Sequence, residues 1–228
     1  MKNPADSARG LAVVAVLAAV AGLAMVVISQ HTHRWAPPPV PPTSAALARQ
    51  ATTTRPSAAA PRVPPAVALD TAPMSRSVPV TVRIPVIGVR ARIIGLGLGP
   101  GGIVEVPSLS TPFLTSWFDK GAAPGEPGRA VLFGHVDSAV VGPAVFYRLG
   151  DLRPGDIVYV TRADHRTAVF RVNSVALYPE RDFPSRKVYG PATEPELRLI
   201  TCGGDFDEQT HLYLDRTIAF ASYLGQER

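Results

Sequence analysis

At 228 residues and a formal charge of +5, the chain is long enough for one sizeable hydrophobic core and basic enough to raise a nucleic-acid reading. The charge distribution excludes that reading: residues 1–76 carry seven Lys/Arg against two Asp/Glu, and residues 77–228 carry sixteen of each. A single cysteine, Cys202, excludes an intrachain disulfide framework and leaves a thiol that is either inert or chemically used.

The first element is the run Leu11–Ile28, LAVVAVLAAVAGLAMVVI, eighteen residues without charge or proline. That is the length of a transmembrane helix rather than of a buried globular one. A cleaved signal peptide is the competing reading, but the run is longer than a typical signal core and no small-x-small site follows it. Lys2, Arg9 and the amino terminus on one side, against Arg34 on the other, orient the chain with a cytoplasmic start and an exported remainder. Residues 1–34 therefore read as a cytoplasmic start and membrane anchor.

Residues 35–76 read as a Pro/Ala-rich linker. Ten of the 24 prolines fall within residues 35–75, with no Phe or Tyr and four charged residues. Such a segment buries too little apolar surface to offset its ordering entropy and is expected to be disordered. Its prolines favour polyproline II at ~3.1 Å per residue. It reads either as a stalk that lifts a domain off the bilayer or as an unselected low-complexity stretch.

From residue 77 short β-branched runs alternate with turn signals. Predicted strands are Val80–Ile84, Val89–Ile94, Ile103–Val106 after the turn Gly99-Pro100-Gly101-Gly102, Ala130–Gly134, Asp156–Thr161, Thr167–Val172, Leu197–Cys202 and Thr217–Ala221. Short helical turns are expected near Thr115–Asp119 and Ala144–Leu149. Eight short strands punctuated by Gly and Pro predict an all-β barrel or sandwich over residues 77–228.

The chemistry-bearing candidates lie in this domain. Cys202 ends an apolar strand and is followed by Gly203 and Gly204, which let the backbone turn and leave the sulfur unshielded. Thiol-based acyl transfer needs an acid/base partner and donors that face a developing oxyanion. His31 and His33 flank the anchor, His165 sits in a polar turn and His211 in a loop. His135, at the end of an apolar strand beside Gly134, either projects into a cleft or is a hydrogen-bonded structural histidine. Arg216, at the start of the last strand, either supplies N–H donors to a carbonyl oxygen or is a surface arginine paired with a carboxylate. Asp205, Asp207 and Glu208 beside the thiol are expected to raise its pKa.

A cysteine after an apolar strand in Leu199-Ile200-Thr201-Cys202-Gly203-Gly204-Asp205-Phe206-Asp207, the upstream string Phe133-Gly134-His135-Val136-Asp137-Ser138, and an arginine fourteen residues beyond the cysteine resemble the sortases. The fuller strings resemble class F sortases of actinobacteria. The resemblance spans roughly residues 77–225, including Trp117, Pro124-Gly125 and Phe183-Pro184. It departs at Leu214, where many class F members carry an arginine.

The resemblance implies an eight-stranded sortase-type β-barrel with short helices and a membrane-anchored cysteine transpeptidase. Cys202 would be the nucleophile, His135 the general acid/base and Arg216 the residue that holds the substrate carbonyl. It implies as partners surface proteins with an LPXTG-like sorting signal and an amine acceptor from a peptidoglycan precursor or a pilin lysine. No cofactor and no metal are implied, and Asp205-Phe206-Asp207-Glu208 alone is a weak calcium signal. Another cell-wall cysteine transpeptidase is disfavoured because the L,D-transpeptidase string Ser-His-Gly-Cys is absent. Papain-like peptidases place their cysteine before the histidine. A catalytically silent, membrane-tethered binding module is the reading from another class.

Overall fold

The computed structural model describes residues 36–42 and 69–227. The apolar run Leu11–Ile28 lies outside them, as does most of the linker. Among the described residues no helix is long and apolar enough to cross a membrane.

Eight strands close into a barrel in the order β1-β2-β3-β4-β9-β10-β8-β7. They are β1 (Pro79–Ile84), β2 (Val89–Leu96), β3 (Thr115–Phe118), β4 (Gly128–Gly134), β7 (Ile157–Arg162), β8 (Thr167–Pro179), β9 (Pro195–Asp207) and β10 (Leu212–Glu227). A two-stranded ribbon, β5 (Asp137–Ser138) and β6 (Gly142–Pro143), follows β4. The helix α1 (Ser185–Tyr189) lies in the connection from β8 to β9. Pairing is antiparallel except at β2–β3 and β4–β9, which run parallel.

Period-two alternation fills the barrel. Val82 and Ile84 of β1, Val158 and Val160 of β7, Phe170 and Val172 of β8, and Leu197 and Leu199 of β9 all point inward and are buried. Burial of each such side chain contributes roughly 1.5–3 kcal/mol. Outward residues of β9 and of its two neighbours, β4 and β10, form a second cluster on the outer wall. There Val131 of β4, Ile200 of β9 and Ile218 of β10 pack with Val188 of α1, rimmed by Phe133, Tyr178, Phe183 and Phe220.

Two of the predicted elements fall elsewhere. Thr115–Phe118, expected as a helical turn, is the barrel strand β3. Its first three residues are all buried, so no wet–dry alternation marks it. Ile103–Val106, expected as a strand, is not in the barrel. Val104 makes an isolated bridge to Leu98, while Ile103 and Val106 are exposed. The strands β8, β9 and β10 run well past their predicted ends, and β8 is thirteen residues long.

Part of the predicted linker lies on the barrel. Gln226 donates its N–H to Asp70 O at 2.8 Å, and Met74 donates to Gly125 O at 2.8 Å. Arg162, almost wholly buried, donates to Pro124 O at 2.6 Å and to Ser75 O, and pairs with Asp164 at 2.8 Å. Further upstream, Pro38 and Pro41 are buried. The Pro39 carbonyl occupies the space that a Cβ on Gly150 would need.

A network of charges fixes the β8–β9 connection against the outer wall. Glu196 of β9 pairs with Arg129 of β4 at 2.8 Å and closely with Arg198. The two guanidiniums also reach the connection, Arg129 Nη1 donating to Arg186 O at 3.0 Å and Arg198 Nε to Lys187 O at 3.1 Å. Burial alone would raise the Glu196 carboxyl, but hydrogen bonds from Arg129 and Arg198 and their charges hold it below the ordinary glutamate range. A carboxyl lowered on folding contributes stability that is complete above its unfolded pKa and is lost as pH falls through the folded value. Glu196→Gln should therefore destabilise the protein by roughly 1–3 kcal/mol at neutral pH. The deficit should shrink below the ordinary glutamate range, which chemical denaturation at neutral and acid pH measures.

Candidate active site

The site is set by the two neighbours of β9. On one side β10 is antiparallel and places Arg216 directly opposite Cys202. Opposed residues have Cβ atoms about 4.5–5.5 Å apart and share a sheet face. On the other side β4 is parallel, with Leu132 level with Leu199 and Phe133 level with Ile200. Continued two residues past the end of that ladder, the register would bring His135 level with Cys202, in a row with Arg216 that lies just beyond β4 and within β9. Among the described residues, the other histidines, His165 and His211, occupy left-handed turns with φ of 63° and 56°.

The face they share is the outer one. Leu197 and Leu199 point into the barrel while Ile200 belongs to the outer cluster, so Cys202, two residues beyond Ile200, also points outward. The apolar wall of Val131, Ile200 and Ile218 leads up to the thiol, and the β8–β9 connection borders it.

The two glycines after the thiol have a reason the sequence did not disclose. A Cβ at Gly203 would run into the Thr217 hydroxyl, and one at Gly204 into the Asp215 carboxylate. Gly204 also has φ of +73°, a conformation that other residues adopt at a cost. The pair makes room for β10 side chains and ends the regular ladder. The register holds through Asp215 opposite Gly203 and then slips by a bulge before Tyr213 opposite Phe206.

Each member of the row is held by hydrogen bonds. His135 Nε2 lies 2.6 Å from Pro107 O. A carbonyl only accepts, so Nε2 carries a proton and Nδ1 is the nitrogen that can exchange one. Arg216 Nη1 donates to Asp215 O at 3.0 Å and to Tyr213 O at 3.3 Å. Its Nη2 pairs with Glu180 Oε2 at 2.7 Å. The guanidinium is thus anchored at one edge by its own strand and balanced at the other by an exposed carboxylate.

Cys202 is partly buried, with no disulfide partner. Burial pushes its thiol above the ordinary range; Arg216 opposes this, and the charges of Glu180 and Asp137 reinforce it. The direction matches the expectation from the acidic stretch Asp205–Glu208, but the carboxylates responsible are Asp137 and Glu180, distant in sequence. At neutral pH the resting site holds mainly a neutral thiol next to a balanced arginine. Among the described residues no three His, Cys, Asp or Glu side chains converge as a metal set.

Glu180, Pro107, Asp137 and Tyr213 were not singled out as contributors from the sequence. Asp137 lies in the string around His135 and Tyr213 on the strand of Arg216, whereas Pro107 and Glu180 reach the site from outside the strands.

Residues 82–224 match the sortase domain family. No curated protein matches the chain. Among solved structures, a lid mutant of sortase A from Corynebacterium diphtheriae is 18% identical, with 66% of this chain and 72% of that chain covered and a TM-score of 0.50. Sortase C-1 from Actinomyces oris is 19% identical, with 63% and 72% covered and a TM-score of 0.48. A Clostridium perfringens sortase D5 transpeptidase is 20% identical, with 65% and 79% covered and a TM-score of 0.47. At such identities the likeness to the Corynebacterium diphtheriae protein speaks to the fold.

The electrostatics of the thiol can be read without any substrate. Glu180→Gln should lower the pH midpoint of Cys202 alkylation by iodoacetamide, because a charge that raises the thiol is removed. Arg216→Ala should move the midpoint up. A midpoint unmoved in both variants would contradict the charge assignment.

Proposed function

This chain belongs to the sortase family, and we propose that it is a membrane-anchored cysteine transpeptidase of class F that acts on an LPXTG-like sorting signal. The observation that carries the reading is the row itself, with Arg216 opposite Cys202 and His135 at the end of the parallel neighbour. The strings around Cys202 and His135 support the class.

The chemistry follows from these groups. As the sorting signal binds along the outer wall, Nδ1 of His135 takes the thiol proton and the Cys202 thiolate attacks the threonyl carbonyl carbon. A C–S bond forms and the carbonyl electrons move to oxygen, where the Arg216 guanidinium supplies charge-assisted N–H donors. The C–N bond to glycine then breaks, and the imidazolium returns its proton to the departing amine. An amine acceptor, from a peptidoglycan precursor or a pilin lysine, loses a proton to His135 and attacks the thioester. This restores the thiol and leaves a new amide. Pro107 O stabilises the imidazolium through its bond to Nε2, which is a donor in both protonation states.

Arg216 must loosen its pairing with Glu180 to turn both edges toward a carbonyl oxygen. Because Glu180 is exposed, the pairing is weak enough to exchange for a developing oxyanion. The raised thiol makes reactivity depend on proton transfer to His135 rather than on a standing thiolate.

Within this proposal residues 1–34 are the anchor, residues 35–76 the extracytoplasmic linker and residues 77–228 the catalytic domain, held outside a single-pass cell membrane. Partners are surface proteins that carry the sorting signal, with no cofactor, metal or nucleic acid.

The test is transfer of a sorting-signal peptide to an amine acceptor, with products identified by mass across a library of signals. Cys202→Ala should abolish transfer while the chain stays folded. His135→Ala should reduce it by about 10²–10⁴-fold, and Arg216→Ala by about 10²–10³-fold. The profile of kcat/KM against pH should be bell-shaped. Transfer that persists without the thiol would sink the mechanism.

A further inference from the structure

Tyr213 takes no part in the chemistry above, yet it touches both flanks of the nucleophile. Its hydroxyl donates to a carboxylate oxygen of Asp137, across a sequence separation of 76 residues. Its backbone carbonyl accepts from Arg216 Nη1 at 3.3 Å. Its ring stands edge-on to Phe206, with centroids 5.1 Å apart.

Asp137 is part of the same rigid piece as His135. It opens β5, paired with β6. Just before it, Ala144 N–H donates to Val136 O and Phe146 N–H to His135 O, each at 2.9 Å. Movement of Asp137 therefore carries the His135 backbone with it.

Backbone pairing stops short of His135 on one side of Cys202 and shifts register just past Arg216 on the other. The β4–β9 ladder ends at Phe133 opposite Ile200, two residues short of His135. The β9–β10 ladder breaks at the bulge just past Asp215 opposite Gly203. Beyond those points the tyrosine–aspartate bond is a side-chain tie that spans from the histidine hairpin to the arginine strand.

We infer that Tyr213 is a positioning residue: its hydroxyl bond to Asp137 ties the hairpin that carries His135 to the bulge beside Arg216 and so fixes their spacing across Cys202. The inference rests on the transpeptidase reading and adds to it a pair that touches neither substrate nor reacting atoms. The choice of a phenol suits the task. Burial and the Asp137 bond hold Tyr213 well above the ordinary phenol range, so it remains a donor across the working pH range. A neutral donor also joins the two flanks without a second cation competing with Arg216 for the thiolate.

The pair also has an electrostatic effect, with opposite signs for its two members, and this makes the test decisive. Arg216, Glu180 and Asp137 act on Cys202, and Asp137, Tyr147 and Cys202 itself act on Tyr213. Removing the Asp137 charge should move the thiol midpoint down, whereas Tyr213→Phe leaves that charge without its hydrogen bond and should move the midpoint up. Loss of positioning has one sign only.

The full chain in detergent is assayed in two ways, by peptide-to-amine transfer and by iodoacetamide alkylation against pH. Tyr213→Phe and Asp137→Ala should each lower kcat/KM by about 10- to 100-fold. The double variant should be no worse than the worse single one, as expected when both changes break one tie. Asp137→Asn keeps an acceptor for the hydroxyl and should recover most of the loss seen in Asp137→Ala. Meanwhile the alkylation midpoints of Tyr213→Phe and Asp137→Ala should move in opposite directions. Losses in kcat/KM that add in the double variant, a silent Tyr213→Phe, or transfer that rises and falls with the thiol midpoint would each overturn the inference. Failure of the underlying reading shows separately, as transfer that survives Cys202→Ala.

Discussion

Strand register is the constraint on which the rest of the site depends. Cys202 faces Arg216 because β9 and β10 pair in a frame that runs unbroken from Glu196 opposite Ser222 through Gly203 opposite Asp215. The parallel frame of β4 on β9, from Gly128 opposite Pro195 to Phe133 opposite Ile200, brings the end of β4 that leads into His135 to the same stretch of β9. A slip of one residue in either ladder would turn the thiol toward Leu199 and the barrel interior, since side chains alternate faces with period two. The inner core prevents that slip. Leu197 and Leu199 fill the barrel together with residues from β1, β7 and β8, and exchanging them for Arg198 and Ile200 would place a guanidinium in an apolar interior. Packing on one face of β9 thereby fixes the chemistry on the other.

The same arrangement makes the state of the Cys202 thiol depend on its neighbours. The outer cluster that orders the groove floor also removes water from the thiol and raises it. One cation in the row opposes two carboxylates, and that cation is itself engaged by Glu180. A resting site of this kind resists alkylation and oxidation, because the thiolate is the form that reacts. In the proposed mechanism it becomes competent when a bound carbonyl draws Arg216 and His135 accepts the proton.

Much of this was legible in the sequence, and the exceptions have a common cause. Val80–Ile84, Val89–Ile94, Asp156–Thr161 and Thr167–Val172 announce themselves because one face is wet and the other dry. Thr115–Phe118 does not, because Thr115, Ser116 and Trp117 are all buried and neither face is wet. Ile103–Val106 carries the alternating pattern but has no neighbour with which to form a ladder beyond Leu98. At the site, Cys202 and His135 could be singled out by the glycines and apolar strands next to them. Glu180, Asp137, Tyr213 and Pro107 could not, since each acts through a partner dozens of residues away. The glycines themselves were read for the freedom they give the backbone, whereas the side chains of Thr217 and Asp215 are what require them.

The seat of Pro39 on Gly150 changes the mechanics of the chain. A spacer transmits force along its whole contour only if it is fastened at its two ends. Here Pro38 and Pro41 are packed into the domain, and the chain is fastened again near Asp70 by Gln226. A pull on the amino-terminal side therefore acts first on the Pro39–Gly150 contact, and the barrel feels it there rather than through β1. Gly150 is thus the point at which the segment around Pro39 bears on the barrel.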